Sequence, residues 1–209
     1  TREMPVLPLR TERLALRMMR SHDAPVLAAY RNLADIARFQ SWSMPFTVDD
    51  AHRMLAEQDV LDDLPTSGWV QIAIENAGAV VGDLAIGVGE DGSVAEVGFT
   101  LAPDHQGKGF ATEAAGATID ALFATTGVHR IEASIDPSNW ASMRVLEQLG
   151  FLYEGTARRS MCVRGEWVDD MRFALLRDDR ADWLARPTTC ETVELVELTT
   201  DNLRAVSAL

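Results

Sequence analysis

Cysteine is scarce in this chain. Cys162 and Cys190 are the only two in 209 residues, and neither has a second cysteine or a histidine at metal-ligand spacing. That excludes a disulfide-built scaffold, offers no metal site, and makes reduced thiols in a cytoplasmic protein the simplest reading. Long apolar runs are missing too. None approaches the roughly 20 residues that a bilayer crossing needs, and the N-terminus lacks the basic-then-apolar order of a secretory signal. A protein with no membrane association and no export is expected, although a targeting segment ahead of Thr1 stays open because the chain does not begin with Met. Basic charge is also short: 19 basic residues face 32 acidic ones, for a net charge of −13. The average field therefore repels nucleic acid and anionic membrane and attracts cations, so a polyanionic ligand needs a local exception.

What is present suffices for one substantial core. At 47% hydrophobic content, a chain of 209 residues falls in the single-domain range. Leu14 to Met19 reads as a strand, and Ser21 and Asp23 offer caps for a helix over Ala24 to Arg31. Thr47 and Asp49 open a second helix that should run to about Val60. Between these helices, Phe39 to Phe46 is an aromatic-rich connection holding Pro45, suited to packing or to walling a cleft. Three β-rich runs follow, Trp69 to Ile74, Ala79 to Val88 and Val94 to Leu101, separated by turn signals at Asn76 to Gly78 and Gly89 to Gly92. They predict an antiparallel meander. Ala111 to Thr126 reads as a helix, Arg130 to Ile135 as a strand, and Asn139 to Leu149 as a helix capped by Ser138 and ended by Gly150. Phe151 to Val163 and Trp167 to Leu176 form a closing hairpin. This order predicts an α/β (α+β) fold: a mixed, mostly antiparallel sheet with at least one parallel crossover and flanking helices.

The run Gln106-Gly107-Lys108-Gly109-Phe110-Ala111-Thr112 looks built to hold phosphate. A P-loop is excluded because its first glycine would fall on Ala102. A dinucleotide fingerprint fits poorly: its third glycine falls on Thr112, and His129 and Arg130 stand where the acidic ribose partner belongs. The pattern that remains is Gln/Arg-x-x-Gly-x-Gly/Ala, met by Gln106, Gly109 and Ala111 between a strand and a helix. Glycine lets backbone approach a pyrophosphate, and a helix N-terminus adds unpaired N–H donors and positive partial charge. On Ala95 to Ala114, and on Asn139 to Phe151 about thirty residues later, with its Asn, its Ser three residues on and its Gly-Phe end, the chain resembles the Gcn5-related N-acetyltransferase (GNAT) superfamily. Within it the chain is similar to the ribosomal-protein-alanine N-acetyltransferases. The likeness spans roughly Val6 to Leu176.

The resemblance implies an acyl-CoA N-acyltransferase fold with acetyl-CoA, as co-substrate, in a gap where the strand ending at Leu101 and the strand Arg130 to Ile135 splay apart. It implies that backbone groups near Phe99, Thr100 and Leu101 bind the pantetheine arm. Those from Gln106 through Gly107, Lys108, Gly109 and Phe110 to Ala111, beside Thr112, would hold the pyrophosphate, with Asn139 contacting the cofactor or merely capping its helix. The tyrosine that many relatives place seven residues after this asparagine is Leu146 here. Ser142 takes its place as thiolate partner, against the alternative of a hydroxyl bonded to its own helix. Glu96 is the candidate base, with Asp83 as rival and a structural ion pair as the plain alternative. Strand alternation puts Glu96 and Gly98 on one face. Lys108 is either a phosphate contact or a solvated lysine, and Arg144 either a contact to a CoA phosphate or an exposed helix arginine; His105 and His129 read as bystanders.

The implied activity is direct transfer of an acetyl group to a primary amine, either a protein N-terminus or a polyamine, aminoglycoside or amino-acid-like amine. A longer donor such as succinyl-CoA, or a silent CoA-binding module, are the other readings. The domain should occupy residues 1–186. In residues 187–209, Val193, Leu195 and Leu198 repeat the spacing of Leu14, Leu16 and Met19, which suggests either the opening of a second such domain or an extension packed on this one or on a homodimer mate.

Overall fold

The computed structural model describes residues 6–186 of the chain. The tail at 187–209 lies outside the described residues. Fourteen elements follow one another: β1 (Leu9–Arg10), β2 (Ala15–Met18), α1 (Ala24–Arg31), α2 (Ala34–Ala37), α3 (Val48–Ala56), β3 (Gly68–Asn76), β4 (Ala79–Val88), β5 (Val94–Leu101), α4 (Phe110–Thr125), β6 (Arg130–Ile135), α5 (Trp140–Leu149), β7 (Leu152–Val163), β8 (Glu166–Leu176) and α6 (Arg177–Ala185). They build one eight-stranded sheet in the order β1-β2-β3-β4-β5-β6-β8-β7. The meander β3-β4-β5 is antiparallel, and β5–β6 is the parallel pair that the α4 crossover demands. No helix of the described residues is long and apolar enough to cross a membrane.

Strand alternation divides the core in two. Val70, Ile72 and Ile74 of β3, Leu84 and Ile86 of β4, and Ala95 and Val97 of β5 meet Ala114, Ala115, Ile119 and Leu122 of α4 and Leu146 of α5. Burying each large aliphatic here is worth about 1.5–3 kcal/mol. The opposite face carries a smaller cluster, in which Ala73 of β3 touches Leu27 and Tyr30 of α1, Phe46, and Leu55 of α3. Gln71, Ala85 and Gly98 stand in register on this second face, as do Asp83 and Thr100. Here the helices leave part of the sheet uncovered.

Three local expectations need correction. Helix α3 stops at Ala56 rather than Val60. Gln58 turns inward instead: its amide gives Nε2 to the Met19 and Gln71 carbonyls at 2.6 and 2.9 Å and accepts the Gln71 N–H at 2.7 Å. That side chain fills the backbone gap beside β3, and Arg20 caps the freed Gln58 and Asp59 carbonyls. The cap of α5 is Asn139, whose Oδ1 accepts the Ser142 N–H at 3.1 Å; Ser138 is engaged with Asp136 in the preceding turn. A one-turn helix, α2, precedes the aromatic connection where no element was expected.

Candidate active site

A fork in the sheet sets up the site. Strands β5 and β6 pair only over Val94↔Arg130, Ala95↔Ile131 and Glu96↔Glu132. Beyond Glu96, β5 continues on β4 as far as Leu101, while β6 continues on β8 as far as Ile135. Residues 97–101 thus present a backbone edge without a strand partner to the gap; Phe99 and Thr100 lie along it, and Leu101 ends it with its carbonyl bonded by the Gln106 side chain. Such an edge takes an extended ligand as it would an added strand.

The loop after β5 closes one mouth of the fork. Gly107 and Gly109 hold φ of 69° and 78°, a region that a Cβ disfavours. The Gln106 N–H is engaged with the Pro103 carbonyl, and its side chain ties back to the Leu101 carbonyl at 3.0 Å. The N–H groups of Gly107, Lys108, Gly109, Phe110, Ala111 and Thr112 have no acceptor among the described residues, since the first backbone bond of α4 is Glu113 N–H to the Gly109 carbonyl. That row of donors at a helix N-terminus fits a pyrophosphate. Arg13 braces the loop from β2's leading edge: Nη1 donates to the Lys108 carbonyl at 2.8 Å, Nε to Glu113 at 2.6 Å, and the guanidinium covers the Phe110 ring at 4.8 Å. Lys108 itself is exposed and its side chain does not line the cleft.

Two cavities open on this fork. One of about 440 Å³ runs along Gln106, Gly107, Gly109 and Ala111 to α5, and the other, of about 680 Å³, lies over the sheet face bearing Gln71, Asp83, Glu96 and Gly98. They meet at Phe99, Thr100, Asn139 and Ser142, which line both. Ser142 stands in the first turn of α5, and its Oγ makes no hydrogen bond among the described residues, so the hydroxyl is not committed to its own helix. Trp42 and Phe39 of the aromatic connection wall the larger cavity while Phe46 packs inward, so the segment both packs and encloses. Arg164, at the β7–β8 turn, roofs it by donating to the Ala37 carbonyl at 2.8 Å and the Arg38 carbonyl at 3.3 Å.

The larger cavity is acidic. Glu96 is solvent-accessible at its floor; partial enclosure, then the neighbouring Glu132 and Asp170 carboxylates, push its pKa above the ordinary range. No hydrogen bond or ion pair to Glu96 is formed among the described residues, so the structural ion pair weighed for it does not form there. Asp83 is differently placed. It is 1% exposed, accepts the Tyr30 hydroxyl at 2.5 Å and pairs with Arg31 at 3.2 Å. Its oxygens are already engaged. Asp170, which the sequence did not single out, is 5% exposed, pairs with Arg172 at 3.2 Å, accepts Ser134 Oγ at 3.3 Å and leaves Oδ1 without a partner. Sequence reasoning missed Arg13, Arg31, Arg164 and Asp170; the first three act on Glu113, Asp83 and Ala37, tens of residues away.

A family model described as an acetyltransferase (GNAT) domain matches residues 13–152. An N-acetyltransferase designated p20 from Bacillus licheniformis is 33% identical over 178 residues, 83% of this chain and 98% of that protein. The crystal structure of the ribosomal-protein-S5-alanine acetyltransferase from Vibrio fischeri superposes with a TM-score of 0.69 at 26% identity, covering 82% of this chain and 97% of that one. Over a shorter stretch of 83 residues, 40% of this chain and 48% of the relative, the spermidine N(1)-acetyltransferase of Vibrio cholerae is 30% identical. With a forked sheet, an open donor loop and a matching family model over the same residues, the chain belongs to the GNAT family of acetyl-CoA-dependent N-acetyltransferases.

Proposed function

We propose that the enzyme acetylates the N-terminal amine of a protein or peptide, with Glu96 as the base and Ser142 as the partner of the departing sulfur. The observation that carries this reading is the meeting of the two cavities at Ser142, beside the unpaired edge of β5. The free N–H groups of residues 107–112 take the pyrophosphate. The backbone of Phe99, Thr100 and Leu101 takes the pantetheine arm, and Asn139 orients α5 through its cap. Acetyl-CoA supplies the activated carbonyl carbon. The amine enters through the larger cavity, whose carboxylates attract its charged form. Glu96, with its raised pKa, accepts the proton that must leave before the nitrogen becomes nucleophilic. The C–N bond then forms as the C–S bond breaks; the nitrogen sheds its second proton as the amide forms and the departing sulfur takes one up, the Ser142 hydroxyl hydrogen-bonding that sulfur as negative charge develops there.

The acidic cavity and the spermidine-acetylating relative favour a second reading, a polyamine acceptor. Thiol release from acetyl-CoA, followed with N-terminal peptides, polyamines and aminoglycosides, decides between them. Turnover of peptides above the other amines is expected. Tight CoA binding without turnover of any amine would make the protein a silent CoA-binding module instead, and faster turnover with succinyl-CoA would reassign the donor.

A further inference from the structure

The sheet face beneath the larger cavity leaves a tryptophan in the open. Trp69, at the start of β3, is 58% exposed and lines that cavity. Its partner on β4 is Gly87, and the partner of Gly87 on β5 is Glu96, so the three form one row across one face of the sheet. The indole lies over the glycine. A Cβ placed on Gly87 would meet Trp69 Cε2, Cζ2 and Cδ2 at 2.5, 2.6 and 2.7 Å, so the ring occupies the space that a side chain there would take. Directly opposed residues of an antiparallel pair hold their Cβ positions about 4.5–5.5 Å apart. The ring is therefore an immediate neighbour of the Glu96 side chain, and the row puts no other side chain between them.

The chemistry of that pair selects a cation. An indole face attracts a positive charge within roughly 6 Å of its centre, more strongly where water is partly excluded. Glu96 adds a carboxylate that has no hydrogen bond or ion pair among the described residues. Its acidic neighbours are compensated, Glu132 by Arg130 and Asp170 by Arg172. Two guanidiniums of this cavity, Arg38 and Arg164, have no ion pair among the described residues, but they stand at another rim. There Arg164 donates to the Ala37 and Arg38 carbonyls, beside Phe39 and Gln40, which also line the smaller cavity. Trp69 and Glu96 line only the larger one. A primary ammonium on a hydrocarbon chain satisfies both partners at once, its N–H groups on the carboxylate and its charge and first carbons on the indole. A neutral alcohol would gain the apolar contact alone, and an acid would meet Glu96 with like charge.

Resting on the acetyl-transfer reading above, we propose that Trp69 is a specificity-determining residue: with Glu96 it forms an ammonium subsite that binds the acceptor amine in its charged form, the carbon chain against the indole, before the proton leaves. The ligand class is a primary alkylammonium, whether the N-terminus of a peptide or the end of a polyamine. Calorimetry on the CoA-loaded protein, where no transfer takes place, compares n-butylamine with n-butanol, two probes of equal length that differ in charge. Trp69→Leu keeps an apolar cover on Gly87 and removes the aromatic face, so the butylamine-to-butanol affinity ratio should fall roughly 3- to 30-fold. Trp69→Phe keeps a face and should restore much of that ratio. Gly87→Ala, which drives the ring off the row, should lower the ratio as Trp69→Leu does, and the two combined should lose no more than either alone. A short peptide with a free N-terminus and spermidine, measured on the same proteins, identify the source of the ammonium by which of them Trp69→Leu weakens. In turnover, Trp69→Leu should raise the acceptor KM by a similar factor while kcat at saturation and CoA affinity hold. A ratio unchanged in Trp69→Leu, or a variant that loses Tm and nothing else, would leave Trp69 as a cover for Gly87 and overturn the proposal. No thiol release from acetyl-CoA with any amine sinks the transfer reading instead, while the butylamine-to-butanol ratios still judge the subsite.

Discussion

The two sides of the fork are built in different ways. On the donor side, six consecutive residues, Gly107 to Thr112, offer unpaired backbone N–H groups, and glycine is needed only where φ turns positive at Gly107 and Gly109. The acceptor side is assembled from side chains on six separate elements or loops: Arg31, Trp42, Gln71, Asp83, Glu96 and Asp170. One side presents unpaired N–H groups to an anion, the other mainly carboxylates to a cation. A site made of local backbone depends on few side chains beyond its glycines. A site made of distant side chains is free to vary with the acceptor.

Substitutions on each side test this division. Glu96→Gln should have the largest effect on rate, lowering kcat by about 10²–10⁴-fold while leaving CoA affinity in place, as expected for loss of a general base. In the wild type the acidic limb of the rate profile should lie above the ordinary carboxylate range, because the Glu96 pKa is raised, and the variant should lose that limb. The same shift has a stability sign. The folded protein holds the Glu96 proton more tightly than the unfolded chain, so ionising it weighs against the fold as pH rises through the raised pKa. Glu96→Gln should therefore raise Tm at neutral pH and leave it unchanged at pH values below the ordinary carboxylate range. A Tm unaffected at both would show that the cleft does not perturb this group.

Asp83→Ala should act on stability instead, by about 3–5 kcal/mol, since it strands the Arg31 charge in a buried setting. Denaturant unfolding measures it; a fully stable variant with collapsed kcat would instead make Asp83 the base. Ser142→Ala should lower kcat by about 10²-fold with little change in KM for the acceptor, and undiminished turnover would remove it from the chemistry. Gly109→Ala is the smallest and belongs to the donor side alone. A left-handed alanine costs about 1–2 kcal/mol, so CoA affinity should fall roughly 5- to 30-fold with kcat at saturation preserved. A fall in kcat at saturation would break the separation of the two sides.

Much of this was legible in the chain. The meander, the crossover helix and the Asn139 helix were readable because periodicity and glycine placement are local signals, and so was the shared face of Glu96 and Gly98. Helix α3 was misjudged where Gln58 left the helix to satisfy the backbone beside β3, a partner that no local pattern reveals. For the α5 cap the sequence offered both Ser138 and Asn139, since either side chain can accept a first-turn N–H, and the structure takes Asn139.

By itself, then, the sequence determined the donor: spacing at Gln106, Gly109 and Ala111 depends on neighbouring φ angles and on helix termini, which short-range physics sets. The tertiary structure decided everything on the acceptor side. It consumed Asp83 in an ion pair with Arg31, left Glu96 open at the fork, brought Asp170 to the same cavity, and seated the Arg31 guanidinium on Trp42 with two N–H groups unanswered. Those outcomes depend on which strands become neighbours and which faces are covered, and long-range packing alone supplies that information.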